Sequence, residues 1–350
     1  STGRIARTLT TKFASGTTLA DHLMHAARYL DLEVSHRPQT PPEKDDPALS
    51  FLLGPLSASN QLTNQAFAAL SDAERSELAN SIPDLIARFG DTFLLDEGDS
   101  TETTAHIHTL RLAKKIELSA LFSSALNLVQ LTELDALKSL RHRIKNLSPS
   151  PVEKLPPDSS GEFLYAEYTP MGWVLIGDDG PNFYGTDAAV IVDLGGNDIY
   201  FHSHPNPTTL IIDYDGDDRY LGGGYATGIG SISLLVDLAG NDLYQGSTLA
   251  QGAAFCGIGI LWDHKGDDLY LNGQVGQGAA FFGAGMLVDE KGNDLYSAEL
   301  FAQGFGGMRG LGVLIDLSGN DRYLVDGKVP SSYGTTDTYA GWGQGVGCGF

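Results

Sequence analysis

Residues 234–244 read LLVDLAGNDLY: three apolar residues run into Asp237, the chain turns at Gly240, and Asp242 and Tyr244 follow. The underlying pattern, Asp-x-x-Gly-(Asn/Asp)-Asp-x-Tyr, occurs six times, starting at Asp193, Asp213, Asp237, Asp263, Asp289 and Asp316. A weaker copy, GDDGPNFY, precedes them at Gly177. Successive starts lie 20, 24, 26, 26 and 27 residues apart. A near-constant period of this size predicts a solenoid, in which each unit buries its apolar side against its neighbours.

Apolar triplets such as Val190-Ile191-Val192, Leu210-Ile211-Ile212 and Val313-Leu314-Ile315 stand just before the acidic turns. Strand, tight turn, second strand and a small-residue segment then fill about 25 residues, one coil of a parallel β-helix whose neighbours sit ~4.8 Å apart. The small-residue segments begin with Gln-Gly at Gln251, Gln277, Gln303 and Gln344, which predicts a glutamine ladder with amides bonded along the stack. Tyr200, Tyr220, Tyr244, Tyr270, Tyr296 and Tyr323 predict a second ladder, of stacked rings.

Ahead of the repeats the grammar is helical. Ser71 with Glu74 reads as a capping box, Ser81-Ile82-Pro83-Asp84 as a further helix start ended by Gly90, and Thr104 to Lys145 as amphipathic helices without Gly or Pro. The fold class is therefore α+β: a helical domain over 1–147, a Pro/Ser-rich linker over 148–161, and a parallel β-helix or β-solenoid over 162–350. The last residues, GQGVGCGF, read as the start of another repeat, so the solenoid is expected to be open at its C-terminal end. A protein partner, or the remainder of a longer precursor, would complete that coil by strand addition.

The net charge of −22 is concentrated in the repeats: residues 151–350 hold 26 acidic and 7 basic side chains, against 18 and 15 in residues 1–150. Such a surface repels nucleic acid and anionic membranes, and no apolar run approaches the ~20 residues needed for membrane insertion. Cys256 and Cys348 are too far apart for a disulfide framework and read as small buried thiols.

Stacked coils bring Asp237 near Asp263 and Asp242 near Asp268. Carboxylates ~5 Å apart and partly buried repel by several kcal/mol unless something neutralises them. A hard divalent cation does so, and calcium, which takes six to eight oxygens, suits carboxylates and turn carbonyls; the turn glycine is expected to supply positive φ and close carbonyls. The candidate metal ligands are Asp193, Asp198, Asp213, Asp218, Asp237, Asp242, Asp263, Asp268, Asp289, Asp294, Asp316 and Asp321. The competing reading needs no metal: the first Asp caps its turn and the second bonds the next coil's backbone.

Gly240-Asn241-Asp242-Leu243-Tyr244 and Gly195-Gly196-Asn197-Asp198-Ile199-Tyr200 resemble the core of the hemolysin-type, or RTX, calcium repeat, Gly-Gly-x-Gly-x-Asp-x-U-x with U apolar. The resemblance covers about eight residues per coil. It implies that Asp198, Asp218, Asp242, Asp268, Asp294 and Asp321 take the place of that family's liganding Asp. The period near 25 rather than nine, Asp-x-x in place of Gly-Gly-x, and Tyr at the U position depart from the family pattern.

His106 with His108, and His202 with His204, form His-x-His pairs without a third ligand nearby, and read as exposed polar histidines. No nucleophile elbow, phosphate loop or His-Glu-x-x-His is present, and no catalytic residue is nominated. The expected function is a calcium-stabilised, non-enzymatic structural or protein-interaction module, secreted or periplasmic; a chain beginning at Ser1 without Met suits a processed secreted product or a trimmed chain. The alternative is a polysaccharide lyase or glycoside hydrolase on a β-helix, needing two carboxylates ~5–9.5 Å apart in a groove.

Overall fold

The computed structural model describes residues 18–34, 48–93, 100–147, 155–202, 208–325, 327–330 and 337–345. Among the described residues six α-helices come first: α1 (Leu19–Tyr29), α2 (Ala48–Ala66), α3 (Asp72–Phe93), α4 (Ser100–Ala113), α5 (Leu118–Val129) and α6 (Leu134–Lys145). The capping box forms as read, with Ser71 N–H donating to Glu74 Oε2 at 2.8 Å and Glu74 N–H to Ser71 Oγ at 3.3 Å. The expected second start does not occur, because α3 runs unbroken through Pro83 and past Gly90. A proline inside a helix costs about 3 kcal/mol; here Ile82, Leu85 and Ile86, all buried, hold the turn in place by tertiary packing.

A parallel β-solenoid of about four coils of roughly 26 residues follows the helices. Two eight-stranded sheets run its length. The Asp sheet holds Phe163–Thr169, Gly172–Gly177, Ala188–Asp193, Thr208–Asp213, Ile232–Asp237, Ile258–Asp263, Gly283–Asp289 and Gly310–Asp316. The Tyr sheet includes Phe183–Tyr184, Ile199–His202, Arg219–Gly222, Leu243–Gln245, Leu269–Leu271, Leu295–Ala298 and Arg322–Val325. Pairing is parallel and in register: Asp237 lies beside Asp213 and Asp263, and Tyr244 beside Tyr220 and Tyr270. Antiparallel strands close the first coil, the hairpin Phe163–Thr169 with Gly172–Gly177, and Ser159–Ser160 against Phe183–Tyr184. Ser159 and Ser160, inside the stretch read as linker, thus already belong to a sheet.

The period-2 alternation of the Asp sheet divides two cores. Leu175, Ile191, Ile211, Leu235, Leu261 and Leu287 point between the sheets, where the tyrosines meet them. Leu234, Val236 and their equivalents point the other way and share one apolar cluster with the helices. Helix α5 lies against Ile232–Asp237 and Ile258–Asp263, and α2 against Thr208–Asp213. Arg141 of α6 stacks 5.0 Å over the Tyr214 ring, and Tyr214 Oη donates to Leu137 O at 2.7 Å. The helical layer therefore covers a flank of the solenoid.

The tyrosine ladder forms as expected, from Tyr184 to Tyr323, with successive ring centroids 4.6–4.8 Å apart and planes within 10°. The glutamine column differs from expectation. Gln251, Gln277 and Gln303 do not bond one another: each Nε2 donates to two backbone carbonyls, Gln251 to Tyr244 O (2.9 Å) and Leu271 O (2.8 Å). These residues sit in the left-handed region, φ 51° to 57°, a conformation costing ~1 kcal/mol that the paired amide bonds offset. The coil's inner corner thus depends on a side chain that stitches its own strand to the next.

Candidate metal centre

Each acidic turn places two aspartates behind the surface. The first ends its Asp-sheet strand, pointing inward by the same alternation that buries Leu235, and from Asp193 to Asp263 it caps its own turn. Asp193 Oδ1 accepts from Gly195 N–H at 2.7 Å, Asp237 Oδ1 from Ala239 N–H at 3.1 Å and Asp263 Oδ1 from Lys265 N–H at 2.9 Å. Its other oxygen accepts a tyrosine hydroxyl from the preceding coil: Tyr220 to Asp237, Tyr244 to Asp263 and Tyr270 to Asp289, each at 2.7 Å. Tyr184 with Asp193 and Tyr200 with Asp213 repeat the contact.

The second aspartate spends one oxygen on the preceding coil. Asp218 Oδ1 accepts the Asp198 N–H at 2.6 Å, Asp242 Oδ1 that of Asp218 at 2.7 Å, and Asp268 Oδ1 that of Asp242 at 2.7 Å. The capping expected of a metal-free ladder is therefore present, directed to the preceding coil rather than the next. It leaves one oxygen over: Oδ2 of Asp198, Asp218, Asp242, Asp268 and Asp294 is buried and makes no hydrogen bond. An unsatisfied buried polar atom costs about 1–3 kcal/mol, and more when charged.

The turn glycine is fixed by space more than by φ. A Cβ on Gly240 would stand 1.7 Å from Gly216 O and 2.7 Å from Asp242 Oδ1, so only glycine lets successive turns stack. Positive φ, expected at every copy, occurs at Gly196 and Gly216 but is not needed at Gly240, Gly266, Gly292 or Gly319.

Among the described residues these contacts assemble five acidic clusters, with one carboxylate oxygen from each aspartate within 4.8 Å of the others: Asp193/Asp198/Asp213, Asp213/Asp218/Asp237, Asp237/Asp242/Asp263, Asp263/Asp268/Asp289 and Asp294/Asp316/Asp321. All twelve aspartates singled out from the sequence fall in them. The membership is new: a cluster joins both aspartates of one turn to the first of the next, rather than pairing like positions. Through Asp294 every one is buried, the most exposed, Asp268, at 3 %.

Burial and the neighbouring carboxylates make the charged forms unfavourable. Desolvation, with Asp193 next, raises Asp198 to about 8; desolvation and the Asp237 and Asp198 charges raise Asp218 to about 8. Desolvation with Asp263 raises Asp268 to about 10, and desolvation with Asp237 and Asp263 raises Asp242 to about 12. Buried Asp213 and Asp237 are pushed well above the ordinary carboxylate range for the same reasons. Such clusters need a positive partner, a proton or a metal ion.

The first coil carries an amide in this column, whose nitrogen is bonded although its Oδ1 is buried without a hydrogen-bond partner. The weaker copy sets Gly177 and Asn182 where the repeats have their two aspartates. Asn182 N–H donates to Asp198 Oδ1 at 2.6 Å, and its Nδ2 donates to Asp193 Oδ2 at 3.3 Å and Gly180 O at 3.2 Å. A Cβ on Gly177 would stand 2.2 Å from Asp193 Oδ2, so no aspartate fits there. Asn182 was missed in the sequence, although aligning GDDGPNFY with DLGGNDIY sets it against Asp198.

Outside the turn, the residue before the second aspartate forms a solvent-facing column: Asn197, Asp217, Asn241, Asp267, Asn293 and Asn320. Asp217 Oδ1 accepts both Asn241 N–H (2.9 Å) and Nδ2 (3.0 Å), and Asp267 Oδ1 accepts the same pair from Asn293 at 2.8 and 2.9 Å.

The remaining candidates lie elsewhere. His106 and His108 sit on α4, where a two-residue spacing sets them on different faces, and His108 Nε2 is 3.3 Å from Glu77 Oε1. His202 ends a strand, and His204 lies outside the described residues. Trp262 is buried, stacked on His264 at 4.6 Å, and donates to Glu290 Oε1 at 3.1 Å. Of the off-repeat acids, Glu299 pairs with Lys328 and Asp326 lies outside the described residues. Among the described residues no helix is long and apolar enough to cross a membrane.

The structure is thus a β-solenoid with repeated acidic clusters, compatible with RTX-like repeats, and several of its aspartate triads could bind a metal ion. Comparison with protein-family models, with curated proteins and with solved structures finds no match to this chain.

Proposed function

We propose that the chain is a calcium-stabilised β-solenoid, a structural or binding module that works outside the cell or in the periplasm. The observation carrying this reading is the buried Oδ2 left without a hydrogen bond on the second aspartate of each turn from Asp198 to Asp294. Charge bookkeeping supports a divalent ion. The four inner clusters contain nine aspartates, and four divalent ions return eight of those nine charges, where monovalent ions would return four. The donors are all hard oxygens, which suits calcium or magnesium rather than a softer metal. A dry interior of flexible carboxylates favours calcium, since magnesium keeps much of its water and demands octahedral geometry.

Extracellular calcium modules operate at about 10⁻⁴–10⁻³ M free ion, which is the basis for assigning an exported setting. A partner chain would add to Gly310–Asp316 and Arg322–Val325, the terminal strands of the two sheets among the described residues.

The test is metal analysis of the isolated protein, with thermal unfolding after EDTA treatment and again in millimolar calcium. The expected result is several calcium ions per chain and a melting temperature that rises steeply on calcium addition. One site at 100-fold saturation contributes about 2.7 kcal/mol, so several shift the transition far. Unchanged melting and no bound metal overturn the reading.

A further inference from the structure

We propose that Asp294, Asp316 and Asp321 form a separate, exchangeable divalent-cation site that locks the last coil, while the four clusters before it hold their ions trapped. This rests on the calcium column above and divides its ions into two classes.

The end cluster is built differently. The inner four join both aspartates of a turn to the first of the following turn; this one joins both aspartates of its own turn to Asp294 of the preceding one, and omits Asp289. The inner hydrogen-bond pattern also breaks here. Tyr296 Oη and Asp289 Oδ1 make no hydrogen bond, and Asp316 takes a hydroxyl from Tyr323 of its own coil. Asp294 is 2 % exposed, and its Oδ2 lacks a hydrogen-bond partner, so a fully buried ligand oxygen belongs to this cluster too. Asp316 and Asp321, in contrast, are only partly buried, and an ion bound there meets water directly.

An ion in an inner cluster leaves only when strands on both sheets separate, a sub-global opening. At the end site, two of the three ligands are accessible without any such opening. The site also acts on structure. Asp294 N–H reaches Asp321 Oδ1 at 3.1 Å, longer than the inner equivalents, and a shared ion would tie Arg322–Val325 down onto Leu295–Ala298.

The experiment loads the full chain with calcium, removes free ion, adds excess EDTA and follows retained calcium with time. One ion per chain is expected to leave about 100-fold faster than the others, as fits release without opening. Asp321→Asn, whose amide oxygen still accepts the Asp294 N–H, should abolish the fast ion, keep the slow ones and raise amide hydrogen exchange across 322–325. Release of all ions at one rate, or a fast ion that survives in Asp321→Asn, overturns the two-class assignment and leaves the calcium column standing. A wild-type chain that takes up no calcium overturns both.

Discussion

At the surface of the turns, Asn197, Asp217, Asn241, Asp267 and Asn293 alternate amide and carboxylate; one residue further along, Asp198, Asp218, Asp242, Asp268 and Asp294 are carboxylates throughout. Both columns have the same coil spacing and face the same repulsion. In the exposed column, where water already screens charge, each carboxylate still lies between neutral amides, the following one donating to it and the preceding one accepting its backbone N–H. The buried column, where repulsion is stronger, makes no such concession, and leaves an oxygen bare at every rung. An amide is structurally acceptable there, because Asn182 occupies the equivalent place in the first coil and bonds Asp193. Keeping aspartate at the buried positions therefore points to a positive ligand that an amide would displace.

That contrast can be broken most directly at Asp242. Asp242→Asn keeps the oxygen that accepts the Asp218 N–H and sets an amide where Oδ2 now stands unbonded. In calcium the substitution should remove a ligand and cost about 3–5 kcal/mol, the usual penalty for breaking a buried ionic assembly. In metal-free protein the same amide should donate to its neighbours as Asn182 does, and stabilise by about 1–3 kcal/mol. Chemical denaturation with and without calcium reads both signs, and a variant that is stabilised under both conditions rejects the cation.

A second test uses pH. Burial and neighbouring carboxylates raise these acids above their unfolded value, so the metal-free folded chain binds more protons than the unfolded one. Its stability should be greatest below about pH 4, the ordinary Asp value, and fall as pH rises through about 8, where Asp198 and Asp218 ionise. With calcium present, protons compete for the same oxygens, and stability should instead rise with pH across that window. Melting curves from pH 4 to about 8 in EDTA and in calcium should therefore slope in opposite directions; parallel slopes count against metal occupancy.

The smallest effect is expected outside. Asn241→Asp sets three carboxylates in succession with Asp217 and Asp267, all exposed. It should cost no more than ~1 kcal/mol at low ionic strength and vanish at high salt, without changing bound calcium. A salt-independent loss, or loss of an ion, would show that the two columns are not electrically separate.

Much of this was legible in the sequence because the solenoid repeats its code: the 20- to 27-residue spacing sets the coil, and in-register pairing follows once Asp and Tyr recur at fixed offsets. What escaped depends on three-dimensional direction. The Gln251 amide turns to backbone carbonyls because its left-handed φ redirects the side chain. Helix α3 survives Pro83 because buried neighbours outweigh a local penalty. The inner clusters join the second aspartate of one turn to the first of the next, a grouping in space that a linear pattern does not encode.

Asp213, Asp237 and Asp263 each belong to two acidic clusters at once. The column is therefore a chain of links rather than a row of separate beads. A lesion at Asp237 cuts two links, while one at Asp193 opens a single link at the margin. Damage from either end would shorten such a chain step by step, and damage at its middle would split it into two weaker pieces. The same bridging carboxylates would let the repeat lengthen during evolution by whole coils, each new turn sharing one carboxylate with the cluster of its neighbour.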